Sequence, residues 1–286
     1  MLQQASRPAL IALAAMFGIA GGGITSTGAL AQTFNGSFAN PVTGKTDTAT
    51  AAFSVLTVGA SIYLNVTLTN TSTFSDYGNN DLLNGVFWAI AGSPSLTPAS
   101  ATTGTIMNPS QCSAGMVATC SAATVNVGGE YGYQFSAAGY SGALNTTAQY
   151  GIGASGYSLL SPNFGAGQTS YFGASPPNLA GPSANVGGPD FSIVGPSYNA
   201  GASSGGAASN PLLNTSVTFG FLLPSGVTSL SISNVTFAYG TNPDGSVGGT
   251  LAPEPATIAM FSVGAIALVG LRRRRSRVSI HLRPVS

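Results

Sequence analysis

Two runs between positions 51 and 69, in which apolar residues alternate with polar or small ones, constrain the fold of this chain more than any other feature. Apolar or small residues occupy every second position from Ala51 to Val55, Gly59-Ala60 offers a turn, and a second alternating run extends from Ile62 to Thr69. A period of two residues over this length predicts an antiparallel β-hairpin with one face buried and the other in water.

The most apolar run of the central part is Gly85 to Ile90, which contains Trp88, the only tryptophan of the chain. A short continuous apolar run between turn signals is typical of a central strand of a sandwich core. The alternative is an exposed Trp88 that stacks on a sugar ring. Because Phe87 and Ile90 flank it, we expect Trp88 to pack in the core.

Further strands are predicted on both sides of this run. Ala123 to Val127 and Glu130 to Phe135 are expected to form a second hairpin across Gly128-Gly129, a dipeptide that tolerates positive φ. Near the end of the domain, residues 217–223 and 230–239 alternate as strands, and a change of phase near Asn234 indicates a bulge. We therefore predict an all-β, antiparallel, jelly-roll-like β-sandwich with long loops rich in glycine and proline.

The N-terminus has the features of a signal peptide. Arg7 supplies a positive charge, an apolar stretch follows from Pro8 to Ala20, and Ala29-Leu30-Ala31 forms an A-x-A site before Gln32. We predict cleavage after Ala31, recognised through Ala29 and Ala31. The domain organisation is then a signal peptide at 1–31, an extracytoplasmic β-sandwich at 32–247 and a C-terminal segment at 248–286.

The C-terminal segment combines three features in order. Pro253, Glu254 and Pro255 precede an uncharged apolar run at 256–271, and four basic residues follow. A helix over these 16 residues would measure about 24 Å, slightly short of a hydrocarbon core of about 30 Å. We predict one C-terminal transmembrane helix with the basic cluster on the cytoplasmic side, formed by Arg272, Arg273, Arg274 and Arg275.

This ordered combination resembles the PEP-CTERM sorting signal of bacterial exosortase substrates. A plain membrane anchor is the alternative interpretation. The resemblance implies that a membrane-embedded exosortase cuts near Pro253-Glu254-Pro255 and that the inner membrane holds only a transient precursor. It also implies a final location at the cell surface or in the extracellular matrix. In this sequence the chain continues from Ser276 to Ser286 beyond the arginines, where such signals usually stop.

The charge of the predicted mature part excludes one class of partner. Seven of the eight basic residues lie in the two signals or the tail, so that Lys45 alone faces six acidic residues and the net charge is −5. Such a surface has nothing to neutralise a phosphate backbone, and we expect no nucleic-acid binding. Extracellular polysaccharide remains a candidate partner for a neutral surface rich in hydroxyl and amide groups.

The two cysteines are eight residues apart in an exported chain. We predict a disulfide between Cys112 and Cys120, which would close a small loop. The loop-entropy model assigns such a ring about 2–3 kcal/mol of stabilisation before any native strain is subtracted.

Asp76 and Asp81 form the only local cluster of carboxylates, together with Asn79 and Asn80. Oxygen ligands at close spacing suit calcium, but the spacing is not that of an EF-hand, and Asn and Asp are also ordinary turn residues. Calcium at Asp76 and Asp81 and a plain turn both stay open. We predict no other cofactor.

No catalytic constellation is visible in the sequence. The single histidine, His281, lies beyond the predicted membrane span, and no Gly-x-Ser-x-Gly motif has a base partner. The main prediction is a non-catalytic surface or matrix protein that is not an enzyme. The alternative is a carbohydrate-binding or adhesive module, with calcium as an optional aid. A secreted hydrolase, with two of the six carboxylates as acid and base, is the third class.

Overall fold

Alternating side chains divide the chain between two β-sheets that enclose an apolar core. The computed structural model describes residues 31–108, 125–135, 147–154, 190–227, 230–240 and 245–252. Within these ranges there are fifteen strands, numbered along the chain. The strands of the first sheet are β1 (Gln32–Ala39), β2 (Thr46–Val58), β3 (Ser61–Asn70), β5 (Thr97–Thr103), β7 (Val125–Asn126), β12 (Ser216–Leu222) and β15 (Thr250–Leu251).

The second sheet contains the remaining strands. They are β4 (Leu83–Ile90), β6 (Ile106–Met107), β8 (Tyr131–Phe135), β9 (Tyr150–Ala154), β10 (Ile193–Val194), β11 (Leu212–Asn214), β13 (Ile232–Tyr239) and β14 (Gly245–Gly248). A single turn of helix, α1 (Gly206–Ser209), and two 3₁₀ turns at Asn79–Asp81 and Gly128–Glu130 complete the described regular structure.

The spatial order of the first sheet is β15-β1-β2-β3-β12-β5-β7. In the second sheet the order is β14-β13-β4-β10-β11-β6, and β9 pairs with both β4 and β8. The described strand pairs are antiparallel except β10 with β11, which is parallel. The predicted all-β, antiparallel fold is therefore confirmed in its main feature. From β4 to β8 the chain alternates between the sheets as in a jelly roll, whereas β1, β2 and β3 form a meander within one sheet.

The predicted hairpin is the longest strand pair of the structure. Strands β2 and β3 are paired from Ala49↔Asn70 to Val58↔Ser61, and the turn uses Gly59 with a φ of 60°. The buried residues of β3 alternate strictly along the strand, which confirms the period of two. The interpretation of the sequence was correct here because one face of this hairpin is buried over most of its length, up to Phe53 on β2 and from Leu64 on β3.

The second predicted hairpin is wrong. Strand β7 pairs with β5 in the first sheet, whereas β8 pairs with β9 in the second sheet. The residues between them form the 3₁₀ turn Gly128–Glu130, in which the Glu130 amide donates to the Val127 carbonyl at 3.0 Å. This turn carries the chain from one sheet to the other, so two neighbouring strands in sequence never meet.

The core between the sheets is rich in aromatic side chains. Trp88 is fully buried on β4, with its ring 5.8 Å from that of Phe53 and 6.0 Å from that of Phe221, both of which lie in the opposite sheet. Tyr150 of β9 stacks on Trp88 at 5.7 Å. The prediction that Trp88 packs in the core is confirmed, and the alternative of an exposed sugar-stacking tryptophan is wrong.

One corner of the sandwich is closed by a strand that changes sheets. The chain leaves β14 in the second sheet, turns at Gly249 and enters β15 in the first sheet, where Leu251 pairs with Phe34. The Phe237 ring fills the space below this crossing, and a Cβ at Gly36 would overlap that ring. Only glycine permits this close approach of β1 to the opposite sheet.

Candidate functional site

The loop between β3 and β4 contains a network of polar side chains centred on Asp81, which is fully buried. The Asp81 carboxylate accepts hydrogen bonds from the Gly78 amide at 2.8 Å and from the Thr43 hydroxyl at 2.5 Å. It also accepts from the Asn40 amide at 3.1 Å and from the Lys45 ammonium at 3.2 Å. A buried carboxylate needs such partners, because an unpaired charge in the interior is strongly unfavourable.

Lys45 connects the two carboxylates that the sequence singled out. Its ammonium lies 3.2 Å from Oδ2 of Asp76 and 3.2 Å from Oδ2 of Asp81, and it also lies 4.8 Å from the centre of the Phe74 ring. Partial burial opposes the charge of Lys45, but the hydrogen bonds to Asp81 and Asp76 raise its pKa above the ordinary value. The hydrogen bond from Lys45 lowers the pKa of Asp76.

The structure thus brings Asp76 and Asp81 together, but around an ammonium group. Among the described residues there is no group of three or more His, Cys, Asp or Glu side chains suited to hold a metal ion. Calcium at Asp76 and Asp81 stays a prediction, and Lys45 is the internal cation with which it would compete. Lys45 and Asn40 were missed as site residues, although a lone base among six acids is itself a signal for an ion pair.

A second buried carboxylate, Asp47, lies beside Asp81. Asn40 joins the two, because its side-chain amide donates to Oδ2 of Asp47 at 3.0 Å as well as to Asp81. Oδ1 of Asp47 has no hydrogen-bond partner among the described residues. Burial raises the pKa of Asp47 to about 7, and the charge of Asp81 acts in the same direction, while the bond from Asn40 acts against it.

This raised pKa predicts a pH-dependent stability. The ordinary carboxyl value of 3.8 applies to the unfolded chain, so between pH 4 and about 7 the folded state retains a proton that the unfolded state releases. Stability therefore falls as the pH rises through this range. We expect a higher urea midpoint at pH 5 than at pH 8, and a smaller difference in Asp47→Asn. An unchanged difference in that variant would contradict the assignment.

The arrangement of these carboxylates is unsuited to hydrolysis. An acid–base pair for hydrolysis needs two carboxyl groups that both reach the substrate. However, Asp47 and Asp81 are both fully buried, so a substrate has no access to either group. The network instead fixes the loop, which also packs against the segment before β11 through a bond from the Gly195 amide to the Tyr77 hydroxyl at 2.8 Å.

The outer side of the first sheet is a broad surface of hydroxyl and amide groups, here named the threonine face. Its side chains form rows across the strands, as given by the strand register. One row is Thr250, Asn35, Thr50, Thr69 and Ser216. The next row is Thr33, Ala52, Thr67, Thr218 and Thr102. The third row is Ser54, Asn65, Gly220 and Ser100.

The threonine face carries no Asp, Glu, Lys or Arg at any described outward position of its strands. Hydrogen bonds within the face include a pair of hydroxyls, Thr67 and Thr218, 3.0 Å apart, and a bond from the Thr71 hydroxyl to the Thr48 hydroxyl at 2.9 Å. The Thr250 hydroxyl donates to the Asn35 carbonyl at 3.3 Å. At the corner of β15, β1 and β2 the face contains a groove of about 420 Å³. The groove is lined by Asn35, Gly36, Ser37, Thr48, Ala49, Thr50, Thr71, Gly248 and Thr250.

Beside this groove the two ends of the domain meet. The Ala252 amide donates to the Thr33 carbonyl at 2.7 Å, so the last described residue is held against the start of β1. Strand β15 lies beyond residue 247, in the stretch predicted as a spacer before Pro253. Paired β-structure therefore continues almost to the Pro-Glu-Pro sequence.

Several predicted features lie outside the described residues: Ala29, Cys112, Cys120, Pro253, Glu254, Pro255, Arg272, Arg273, Arg274 and Arg275. Signal-peptide cleavage after Ala31 and the disulfide stay predictions. No helix within the described part of the chain is long and apolar enough to cross a membrane. The predicted span at 256–271 belongs to the undescribed part, so it also stays a prediction.

Comparison with known proteins identifies the C-terminal stretch. The family model of the PEP-CTERM protein-sorting motif matches residues 251–275 and thus begins inside β15. No curated protein and no solved structure matches the chain. Exosortases recognise PEP-CTERM signals. The chain carries such a sorting signal at residues 251–275, and this signal is evidence for exosortase-dependent export to the cell surface.

Proposed function

We propose that this protein is a non-catalytic component of the cell surface or extracellular matrix, which an exosortase processes near Pro253-Glu254-Pro255. The observation that carries the proposal is the motif match at 251–275, directly after the β-sandwich. A membrane helix at 256–271 would hold the precursor in the inner membrane until it is cut. The structure supports a non-catalytic role insofar as the neighbouring carboxylates Asp47 and Asp81 are inaccessible.

Processing is tested by replacing Pro253, Glu254 and Pro255 together with alanine in the full chain, expressed with an exosortase. For the unchanged chain we expect a surface form that lacks the apolar run and the arginines, because cleavage precedes both. The triple variant should keep its full length and remain in the membrane fraction. Mass spectrometry of the surface and membrane fractions measures both outcomes.

A matched control is Pro224→Ala, which changes an exposed proline in a turn of the folded domain. This variant should be processed like the unchanged chain. Peptides that contain Arg272 to Arg275 on all of the surface-released protein would contradict processing. The segment would then act as a plain membrane anchor.

The alternative proposal is a carbohydrate-binding or adhesive module. The buried Trp88 removes one of its expected contacts. The observation in its favour is the charge-free threonine face with its groove. Both roles are compatible in one protein, because a matrix component is commonly retained through the polymer that surrounds it.

A further inference from the structure

We propose that the threonine face, centred on the groove at β15, β1 and β2, binds a neutral, flexible polysaccharide chain. The inference rests on the carbohydrate-binding alternative above and specifies the site and the chemical class of its ligand. It places binding on hydroxyl and amide side chains, away from Trp88 and from the carboxylates of the loop between β3 and β4.

The first argument is the charge of the face. An anionic polymer gains binding energy mainly from Lys and Arg, and none of the described outward positions of the first sheet carries either residue. A neutral polymer has no such requirement. An uncharged face therefore matches a neutral glycan better than it matches a nucleic acid or an acidic polysaccharide.

The second argument is the hydrogen-bonding capacity of the side chains. A threonine or serine hydroxyl donates one hydrogen bond and accepts two, which matches the hydroxyl groups of a sugar. Among described residues, the Thr50 and Thr69 hydroxyls have no partner. Among the lining residues of the groove, Asn35, Ser37 and Thr250 are exposed, while Thr50 is half-buried.

The third argument is the shape of the surface. Neighbouring strands are about 4.8 Å apart and outward side chains along one strand about 6.7 Å apart, so the rows offer contacts at roughly the scale of one sugar unit. Sheets twist by about 20–25° per strand. A flexible polysaccharide chain can follow such a twisted surface, whereas the flat face of a crystalline polysaccharide fits it less well. The groove, at about 420 Å³, lies within the range of small-ligand pockets.

Apolar contacts are available at the far end of the same face. Leu56 and Leu222 flank Tyr63 in register, and Leu222 is 36% exposed. Sugar rings have apolar faces that pack against such side chains. A chain that extends from the groove to this end would add weak contacts over several sugar units, and multivalent attachment then gives useful avidity.

The test is binding of the full chain in detergent to dextran, a soluble neutral glucan, and to alginate, an anionic polysaccharide, by affinity electrophoresis. We expect retardation by dextran, little retardation by alginate, and no effect of a calcium chelator, because the face has no carboxylate. The double variant Ser37→Ala/Thr50→Val should bind dextran about tenfold more weakly, since two hydroxyl partners are lost with little change in shape.

The matched control is Ser233→Ala, which removes one exposed hydroxyl from β13 in the second sheet and should leave binding unchanged. Trp88 fluorescence reports whether each variant is folded. If the protein binds neither dextran nor alginate, both this inference and the carbohydrate-binding alternative are overturned. If the double variant still binds dextran, or if the chelator abolishes binding, the assignment to the threonine face is overturned. Carbohydrate binding by the protein would still stand in either case. Preferential binding of alginate would overturn the neutral class of ligand.

None of these outcomes alters the processing test at Pro253-Glu254-Pro255, so the two proposals fail separately. A self-association that Ser37→Ala/Thr50→Val abolishes, measured by analytical ultracentrifugation, would assign the face to a second copy of the chain and overturn the glycan inference.

Discussion

Trp88→Ala is expected to lower the free energy of unfolding by about 3–5 kcal/mol, the usual range when a large aromatic is deleted from a packed core. The indole ring contacts rings from both sheets, with Phe53 at 5.8 Å, Tyr150 at 5.7 Å and Phe221 at 6.0 Å. Its loss leaves a cavity between the sheets. Since domains of this size are stable by about 5–15 kcal/mol, this loss is a large fraction of the total stability and should lower the urea midpoint markedly.

Urea unfolding followed by circular dichroism measures this effect, because the variant has lost its tryptophan fluorophore. Trp88→Phe should be milder, since it keeps a ring and removes an indole N–H that has no hydrogen-bond partner among the described residues. Val42→Ala provides the surface control, as Val42 is 71% exposed in a turn. A urea midpoint of Trp88→Ala equal to that of Val42→Ala would show that the two sheets do not pack through Trp88.

Asp81→Ala is expected to have the second large effect, about 3–5 kcal/mol of destabilisation. The substitution leaves the Gly78 amide and the Thr43 hydroxyl without their acceptor. It also takes one of three acceptors from the Asn40 amide and one of two carboxylates from Lys45. Buried donors that lose their only acceptor cost more than the net value of the bond. The loop between β3 and β4 should then open first.

Asp76→Ala is the matched control for this prediction. Asp76 binds the same Lys45 ammonium at the same 3.2 Å, but its side chain is 56% exposed. Water replaces an exposed partner readily, so we expect only a small change. Thermal unfolding measures stability, and amide hydrogen exchange at Tyr77 and Gly78 measures opening of the loop. Equal effects of the two alanine variants would refute the distinction between the buried and the exposed carboxylate.

The strands that could be predicted are those whose own sequence shows, through the spacing of apolar residues, which side chains face the core. The β2–β3 hairpin and the buried strand β4 follow from local alternation and from a continuous apolar run. The bulge near Asn234 was also predictable, and the structure shows a register shift between Ser233 and Thr236 with a φ of 50° at Asn234. In each case one stretch of chain determines which side chains face the core.

Pairing between strands was not predictable in the same way. The stretches that became β7 and β8 both alternate, but alternation does not reveal which sheet a strand joins. The parallel pair β10–β11 has only two residues in each strand and leaves almost no pattern. Such choices are made by long-range packing, which a window of ten residues does not contain.

The polar network around Asp81 contains one residue that the sequence pattern could have identified and one that it could not. Asp47 lies in phase with Ala49, Ala51 and Phe53, so extending the alternation backwards would have identified it as an inward-facing carboxylate. The contacts of Asn40 with Asp81, across 41 positions of sequence, had no local signal. Proximity of Asp76 and Asp81 was evident from their spacing, whereas the ammonium between them was not.

The short strand β15 also determines how the domain responds to force. In a chain tethered through Ala252, tension reaches the sandwich first at the Ala252–Thr33 hydrogen bond and then at the two residue pairs of β15 with β1. These hydrogen bonds are loaded one after another rather than together, so they break at low force. The long β2–β3 pair lies farther from the tether. Strand β15 would therefore detach first under tension, which lengthens the tether while the core stays folded.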